Sequence, residues 1–365
     1  MKIGDLCTYA PKSSIKAGDA IIDGRYMFFT SSSDENKRYS DYQLDCEGII
    51  MGTGGNATLH YYNGKFATST DCVVLLSNET IRCKYLYYFF LSNMDILESG
   101  FKGAGLKHTN KNYINSINIS SVPSFEMQDR VIKVLDKVQS IIDKRQQQLE
   151  KLDELVQARF VEMFGDPVDN DRAWSTETLN SVCSTIVDCP HSTPSYTSDN
   201  TGYMCIRTSI VKKNHIMWDE IEYIPEEEYY QRIQRKRPER GDIIYTREGA
   251  ILGIAAMIDR ECNVALGQRS MLLSPNTFKC LPQFLSVAMN FNSFLRKALG
   301  GVSGSASPHI NVGDIKAFPI ILPPIELQNQ FAAFVEQTHK SKFEIKQSLE
   351  KLELLKKALM QKYFG

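Results

Sequence analysis

The chain has 365 residues, 42% hydrophobic and 23% charged, with 42 Lys and Arg against 43 Asp and Glu. That length suits two or three domains, and the near-neutral balance excludes nucleic-acid binding by bulk charge, so any DNA contact must come from locally clustered Lys and Arg. No apolar run reaches the roughly 18 residues of a membrane span, the N-terminus lacks a signal-peptide core, and nine scattered cysteines without a Cys-x-x-Cys pair argue against a disulfide framework or zinc ribbon. A cytoplasmic chain with reduced thiols and no membrane partner is expected.

In chain order, residues 1–122 read as a first globule of short β-rich runs bounded by Gly, Asn and Ser. A run at 48–54 is followed by strand-like text at 66–76, an aromatic helical stretch at 85–91, and a Gly-rich loop ending at His108. Residues 123–165 then read as one long helix. Val131, Leu135, Val138, Ile142, Arg145, Leu149, Leu152, Val156, Arg159 and Met163 advance by steps of four and three, a heptad stripe. Val134, Ile141, Leu155 and Phe160 widen its apolar face. Pro123 precedes the helix and Gly165 ends it.

Residues 166–321 repeat the globule: runs at 242–249 and 264–273, an aromatic stretch at 284–291, and a small-residue loop ending at His309. Residues 322–365 repeat the helix, with Phe331, Val335, Ile345, Leu349, Leu352, Leu355 and Leu359 as its stripe. The second copy lies 200 residues after the first: residues 122–128 (VPSFEMQ) match 322–328 (LPPIELQ), and Phe164-Gly165 matches Phe364-Gly365. The expected architecture is α+β, two globules alternating with two long helices. The helices, each a rod of roughly 60 Å, are expected to pair as an antiparallel coiled coil around an approximate twofold axis.

Familiar catalytic text is missing. There is no amino-methyltransferase Asn-Pro-Pro-aromatic run, no P-loop, and no nucleophile elbow. The run Asp188-Cys189-Pro190-His191 offers two potential ligands without a second pair at finger-like spacing, so no metal is expected.

The duplicated Pro-x-x-Glu-x-Gln before each helix, the Met163-Phe164-Gly165-Asp166-Pro167 junction with Trp174 and Leu179 downstream, and the run GDIIYTREG at 241–249 together resemble the type I restriction specificity subunit family. The first globule departs from the pattern, with Met51-Gly52-Thr53-Gly54-Gly55 where the second has Tyr245-Thr246-Arg247-Glu248-Gly249. The resemblance implies a non-catalytic subunit in which each globule reads one half of a split site on double-stranded DNA. The helices would set the spacing and dock two modification (methyltransferase) subunits, with restriction (translocase and nuclease) subunits added. S-adenosylmethionine, ATP and Mg2+ would belong to those partners, with no cofactor in this chain. The competing readings are a coiled-coil scaffold and the specificity part of a fused restriction–methylation system.

DNA contacts sort into phosphate anchors and base readers, and Arg, Lys, Asn and Gln suit base edges in the major groove. In the first globule, Lys102, Lys107, His108, Asn110, Lys111 and Asn112 form a basic, amide-rich loop. In the second, Arg247, Gln268, Arg269, Ser303, Ser305 and His309 occupy turn and loop text. The Arg232–Arg240 stretch is the densest basic run, read chiefly as a charged surface beside Glu226, Glu227 and Glu228. Replacing Arg247 or Lys107 by Ala is expected to weaken specific binding without unfolding the chain.

Overall fold

The structure, a computed structural model, describes residues 1–103, 105, 107–300 and 308–365. It divides into two compact units, residues 1–147 with 346–365, and residues 148–345.

The first unit is built on one six-stranded sheet. Its strands are β1 (Cys7–Tyr9), β2 (Tyr26–Phe29), β3 (Arg38–Tyr39), β4 (Leu44–Gly52), β5 (Leu59–Thr68) and β6 (Cys72–Ser77), in the order β1-β6-β4-β5-β2-β3. All pairings are antiparallel except β2 with β5. Helix α1 (Cys83–Ser92) buries Tyr85, Leu86, Phe89 and Phe90 against Ile49, Met51 and Leu75 of the sheet. Two short helices follow, α2 (Met94–Glu98) and α3 (Lys111–Ser116), and then α4 (Phe125–Phe164), whose first part belongs to this unit.

The second unit contains β7 (Ser175–Thr178), α5 (Leu179–Val182), β8 (Cys183–Asp188), β9 (Met204–Ile206), β10 (Val211–Lys212), β11 (His215–Ile216), β12 (Glu222–Tyr223) and α6 (Glu226–Arg232). It continues with β13 (Ile243–Thr246), β14 (Ala255–Met257), β15 (Val264–Leu266), β16 (Ser270–Pro275), α7 (Pro282–Met289), α8 (Asn292–Leu299), α9 (Val312–Lys316), β17 (Pro319–Leu322) and α10 (Ile325–Phe364). Two sheets do the work of one. The order β14-β13-β16-β8 corresponds to β5-β4-β6-β1, and β12-β9-β15 to β3-β2-β5. The parallel pair β15–β9 matches β5–β2. Strand β5 runs unbroken through ten residues, whereas its counterpart is interrupted between β14 and β15.

The repeated Gln explains the motif ahead of each long helix. Gln128 is buried; its Oε1 accepts from Arg82 N at 2.7 Å, and its Nε2 donates to the carbonyls of Pro123 (2.8 Å) and Thr80 (3.4 Å). Gln328 does the same, accepting from Leu281 N at 2.9 Å and donating to Pro323 (2.9 Å) and Lys279 (3.0 Å). Each amide therefore joins the start of its long helix to the backbone entering α1 or α7, where an unpaired buried polar group would be costly.

Both long helices occur in both units. In the first, residues of α4 such as Val131 and Leu135 share a core with Met360 of α10, and Lys356 Nζ donates to Gln139 Oε1 at 2.6 Å. In the second, Phe160 and Phe164 of α4 pack edge-on against Phe331 of α10, and Lys342 bonds Asp153. Within each unit the two helices run antiparallel.

The heptad reading needs one adjustment. Leu155 and Leu355 are 48% and 47% exposed. On α4 the seam runs through the stripe residue Val156 and through Phe160, and Leu155, expected to widen the face, is outside it; on α10 it runs through Lys356 and Met360 in place of the stripe residue Leu355. Leu155 and Leu355 each sit one position, about 100°, off that line. Seven of the nine cysteines are buried and all nine are free thiols. Among the described residues no helix is long and apolar enough to cross a membrane.

Candidate nucleic-acid interface

At the end of β4 the chain turns through Thr53, Gly54 and Gly55, and the loop after α2 docks on that turn. Gly55 N donates to Lys107 O at 2.9 Å, Thr109 N to Thr53 O at 3.0 Å, and Gly54 bridges His108. At the end of β13 the same bonds recur. Gly249 N donates to Pro308 O at 3.0 Å, Ile310 N to Arg247 O at 2.9 Å, and Glu248 bridges His309. Gly55 and Gly249 have φ of +85° and +90°, a conformation that favours glycine. A further contact completes each frame: Thr53 N donates to Asp71 O at 2.8 Å, and Arg247 N to Arg269 O at 3.1 Å. The strand register agrees, pairing Gly52 with Cys72 and Thr246 with Ser270. Thr53 and Arg247, and likewise Asp71 and Arg269, are therefore equivalent positions.

In the first frame, Lys102 and His108 exchange backbone hydrogen bonds of 2.9 and 3.0 Å, and Lys102, Lys107 and His108 are all exposed. Asn112 is exposed beside them in sequence. Asn110 and Lys111, also exposed, have structural duties as well. Asn110 caps α3, its Oδ1 accepting from Tyr113 N at 3.0 Å, and Lys111 Nζ lies 4.4 Å from the Tyr9 ring centroid. Asp71 is held firmly. Burial works against its charge, but hydrogen bonds from Ser69, its own backbone N–H and Ser31 outweigh it and hold the carboxyl below the usual carboxylate range.

The second frame corrects the expectation for Arg247. Its side chain is buried, with Nε 2.8 Å and Nη2 3.0 Å from the two Asp188 carboxylate oxygens, and Nη2 also 2.6 Å from Glu248 Oε1. The guanidinium fork is occupied by carboxylates and unavailable to a base. Asp188 also receives His191 Nε2 at 3.2 Å, and its backbone carbonyl accepts from Arg235 at 3.3 Å. The potential ligands at 188–191 thus serve an ion-pair network, and Cys189 Sγ accepts from Ser270 N at 3.4 Å.

Gln268 and His309 are half-buried, and Arg269 is exposed. Ser303 and Ser305 lie outside the described residues. The basic run is largely consumed internally. Arg232 is buried against Glu228, Leu266 O and Ser192 O, Lys236 pairs with Glu239 and Asp242, and Arg237 donates to Asn263.

Sequence reasoning missed Asp188 and Glu248 as the partners of Arg247, and Asp71 as the counterpart of Arg269. Only the unbroken run Ile243-Ile244-Tyr245, in a strand buried at every position, could have signalled that the chain leading into Arg247 is buried on both faces.

The repeated frame, set on two related α+β units that each take in both long helices, defines a duplicated recognition scaffold. The family model described as the type I restriction modification DNA specificity domain matches residues 1–154 and again 172–356. The chain therefore belongs to the type I restriction–modification DNA specificity family, whose members confer DNA sequence specificity. The specificity subunit of the type I restriction enzyme MjaVIII from Methanocaldococcus jannaschii is 23% identical over 328 residues, covering 86% of this chain and 76% of that relative. The fold is shared with the S subunit of a type I restriction–modification system from M. genitalium, at a TM-score of 0.64 and 13% identity over 100% of this chain and 95% of that one. It is also shared with a chain from a structural study of complex assembly and conformational transition in the type I R-M system, at a TM-score of 0.53 and 17% identity over 100% of this chain and 96% of that one.

Proposed function

We propose that the globular part of each unit reads one half of a bipartite site on double-stranded DNA, each through the loop frame at the tip of its sheet. The carrying observation is that one backbone frame is built twice, at 53–55 with 107–109 and at 247–249 with 308–310, and filled with different side chains. A common scaffold with different loop chemistry is what two unlike half-sites require. The long helices, free of Pro and Gly from 125 to 164 and from 325 to 364, would set the spacing and dock two modification subunits, to which restriction subunits add. In this reading S-adenosylmethionine, ATP and Mg2+ act on those partners, and this chain supplies recognition without a catalytic group.

Methylation mapping in cells carrying the chain with its cognate modification subunit tests the reading. Deleting the chain is expected to abolish N6-methyladenine at one two-part motif. Unchanged methylation with an expressed, active methylase would leave a scaffold role instead.

A further inference from the structure

Arg269 occupies a position where its backbone and its side chain make opposite demands. The chain leaves β15 at Leu266, changes sheets through Gly267 and Gln268, and enters β16 at Ser270. The turn needs φ of +71° at Arg269. Glycine adopts that angle without steric conflict, whereas an L side chain crowds its own backbone there. Among the described residues three other non-glycine residues have positive φ, and two of them are Asn170 and Asn214, a residue type that tolerates the region.

Asn214 also serves the fold, since its Oδ1 accepts from Asn290 Nδ2 at 2.7 Å and Ser286 Oγ at 3.1 Å. Arg269 shows no comparable return. Its guanidinium is exposed and has neither a hydrogen-bond nor an ion-pair partner among the described residues. The side chain is nonetheless directed. It lies over Gly249, with Nη1 3.4 Å and Cδ 3.7 Å from where a Cβ at that glycine would stand. The equivalent residue in the first unit is the oppositely charged Asp71, whose carboxyl is bonded to Ser69.

We propose that Arg269 is a specificity-determining residue of the second globule, presenting its planar fork to a guanine edge in the major groove. The inference rests on the DNA-reading role above and assigns one position within it. A phosphate anchor needs only a positive charge on a flexible stem, which a Lys at any unstrained surface position would supply. A fixed backbone direction with a bidentate donor suits the O6 and N7 acceptors of guanine.

The test is methylation mapping with the full chain and its modification subunits, comparing the parent with Arg269→Gly, Arg269→Lys and a deletion of the chain. Thermal unfolding of the purified variants accompanies it. Arg269→Gly is expected to relax the preference at one base pair of one half-site by about tenfold or more. The other half-site should be unchanged, and Tm should stay level or rise by about 2 °C. Arg269→Lys should fail to restore that preference.

An unrelaxed motif in Arg269→Gly would overturn the proposal. So would a Tm loss of several degrees, which would assign the side chain to the fold, or full restoration by Lys, which would make it a phosphate anchor. Each of these leaves the broader DNA-reading role standing, provided that deleting the chain abolishes methylation. If deletion changes nothing, that role and the proposal fail together.

Discussion

At the tip of β4 the Asp71 carbonyl accepts from Thr53 N, from Thr53 Oγ1 at 2.9 Å and from Ser31 Oγ at 2.6 Å. At the tip of β13 the Arg269 carbonyl accepts from Arg247 N, but the Arg247 side chain turns inward to Asp188 and Glu248. The first frame is closed by short hydroxyl side chains and the second by a buried ion-pair cluster. One backbone arrangement thus tolerates two quite different internal supports, because what it requires is a left-handed glycine and three main-chain hydrogen bonds. The residues left facing outward, Lys107 and His108 in one frame and Arg269 in the other, can vary without disturbing that requirement.

Removing each internal support should affect the two frames unequally. Arg247→Ala leaves Asp188 and Glu248 as adjacent carboxylates without their cation, and is expected to cost about 3 kcal/mol in denaturant unfolding. Thr53→Ala removes one hydroxyl bond and should cost about 1 kcal/mol. An Arg247→Ala chain as stable as the parent but deficient in DNA binding would return Arg247 to the DNA surface.

A second comparison should come out equal. Gln128→Ala and Gln328→Ala each strand the backbone groups that the amide satisfies, at about 2 kcal/mol apiece in the same assay. A large cost at one and none at the other would show that the two helix starts are not equivalent in energy.

The smallest effect separates the units by pH. Burial, aided by the Lys342 charge, pushes the His339 pKa below its ordinary value of 6.5. The unfolded chain therefore gains a proton that the folded chain resists, and this residue's contribution to stability is lost as pH falls below 6.5. The matching position 200 residues earlier is Gln139, which does not titrate. His339→Gln is expected to flatten the stability profile between roughly pH 7 and 5. An unaltered slope in denaturant melts across that range would remove His339 as its source.

The long helices were open to a reader of the sequence: the heptad stripe, the preceding prolines and the terminal glycines bound them at Phe125–Phe164 and Ile325–Phe364 to within three residues. Those signals are local, so they survive without knowledge of the fold. The loop frame was legible only in part. The alignment of 51–55 with 245–249 placed equivalent turns in register, yet gave no hint that Arg247 points inward. Its carboxylate partner Asp188 lies 59 residues earlier in the chain, in a different strand.

The duplication, the helical segments and the entry motif are legible in the sequence, because periodicity and repeated text depend on neighbours a few residues apart. Tertiary structure alone decided which Arg is buried and which is exposed, why Gln128 and Gln328 recur, and how β5 became β14 and β15. It also decided that the end of α10, at Met360 and Phe364, packs into the unit that begins the chain. Those outcomes depend on desolvation and pairing between segments distant in sequence, which a local pattern does not record.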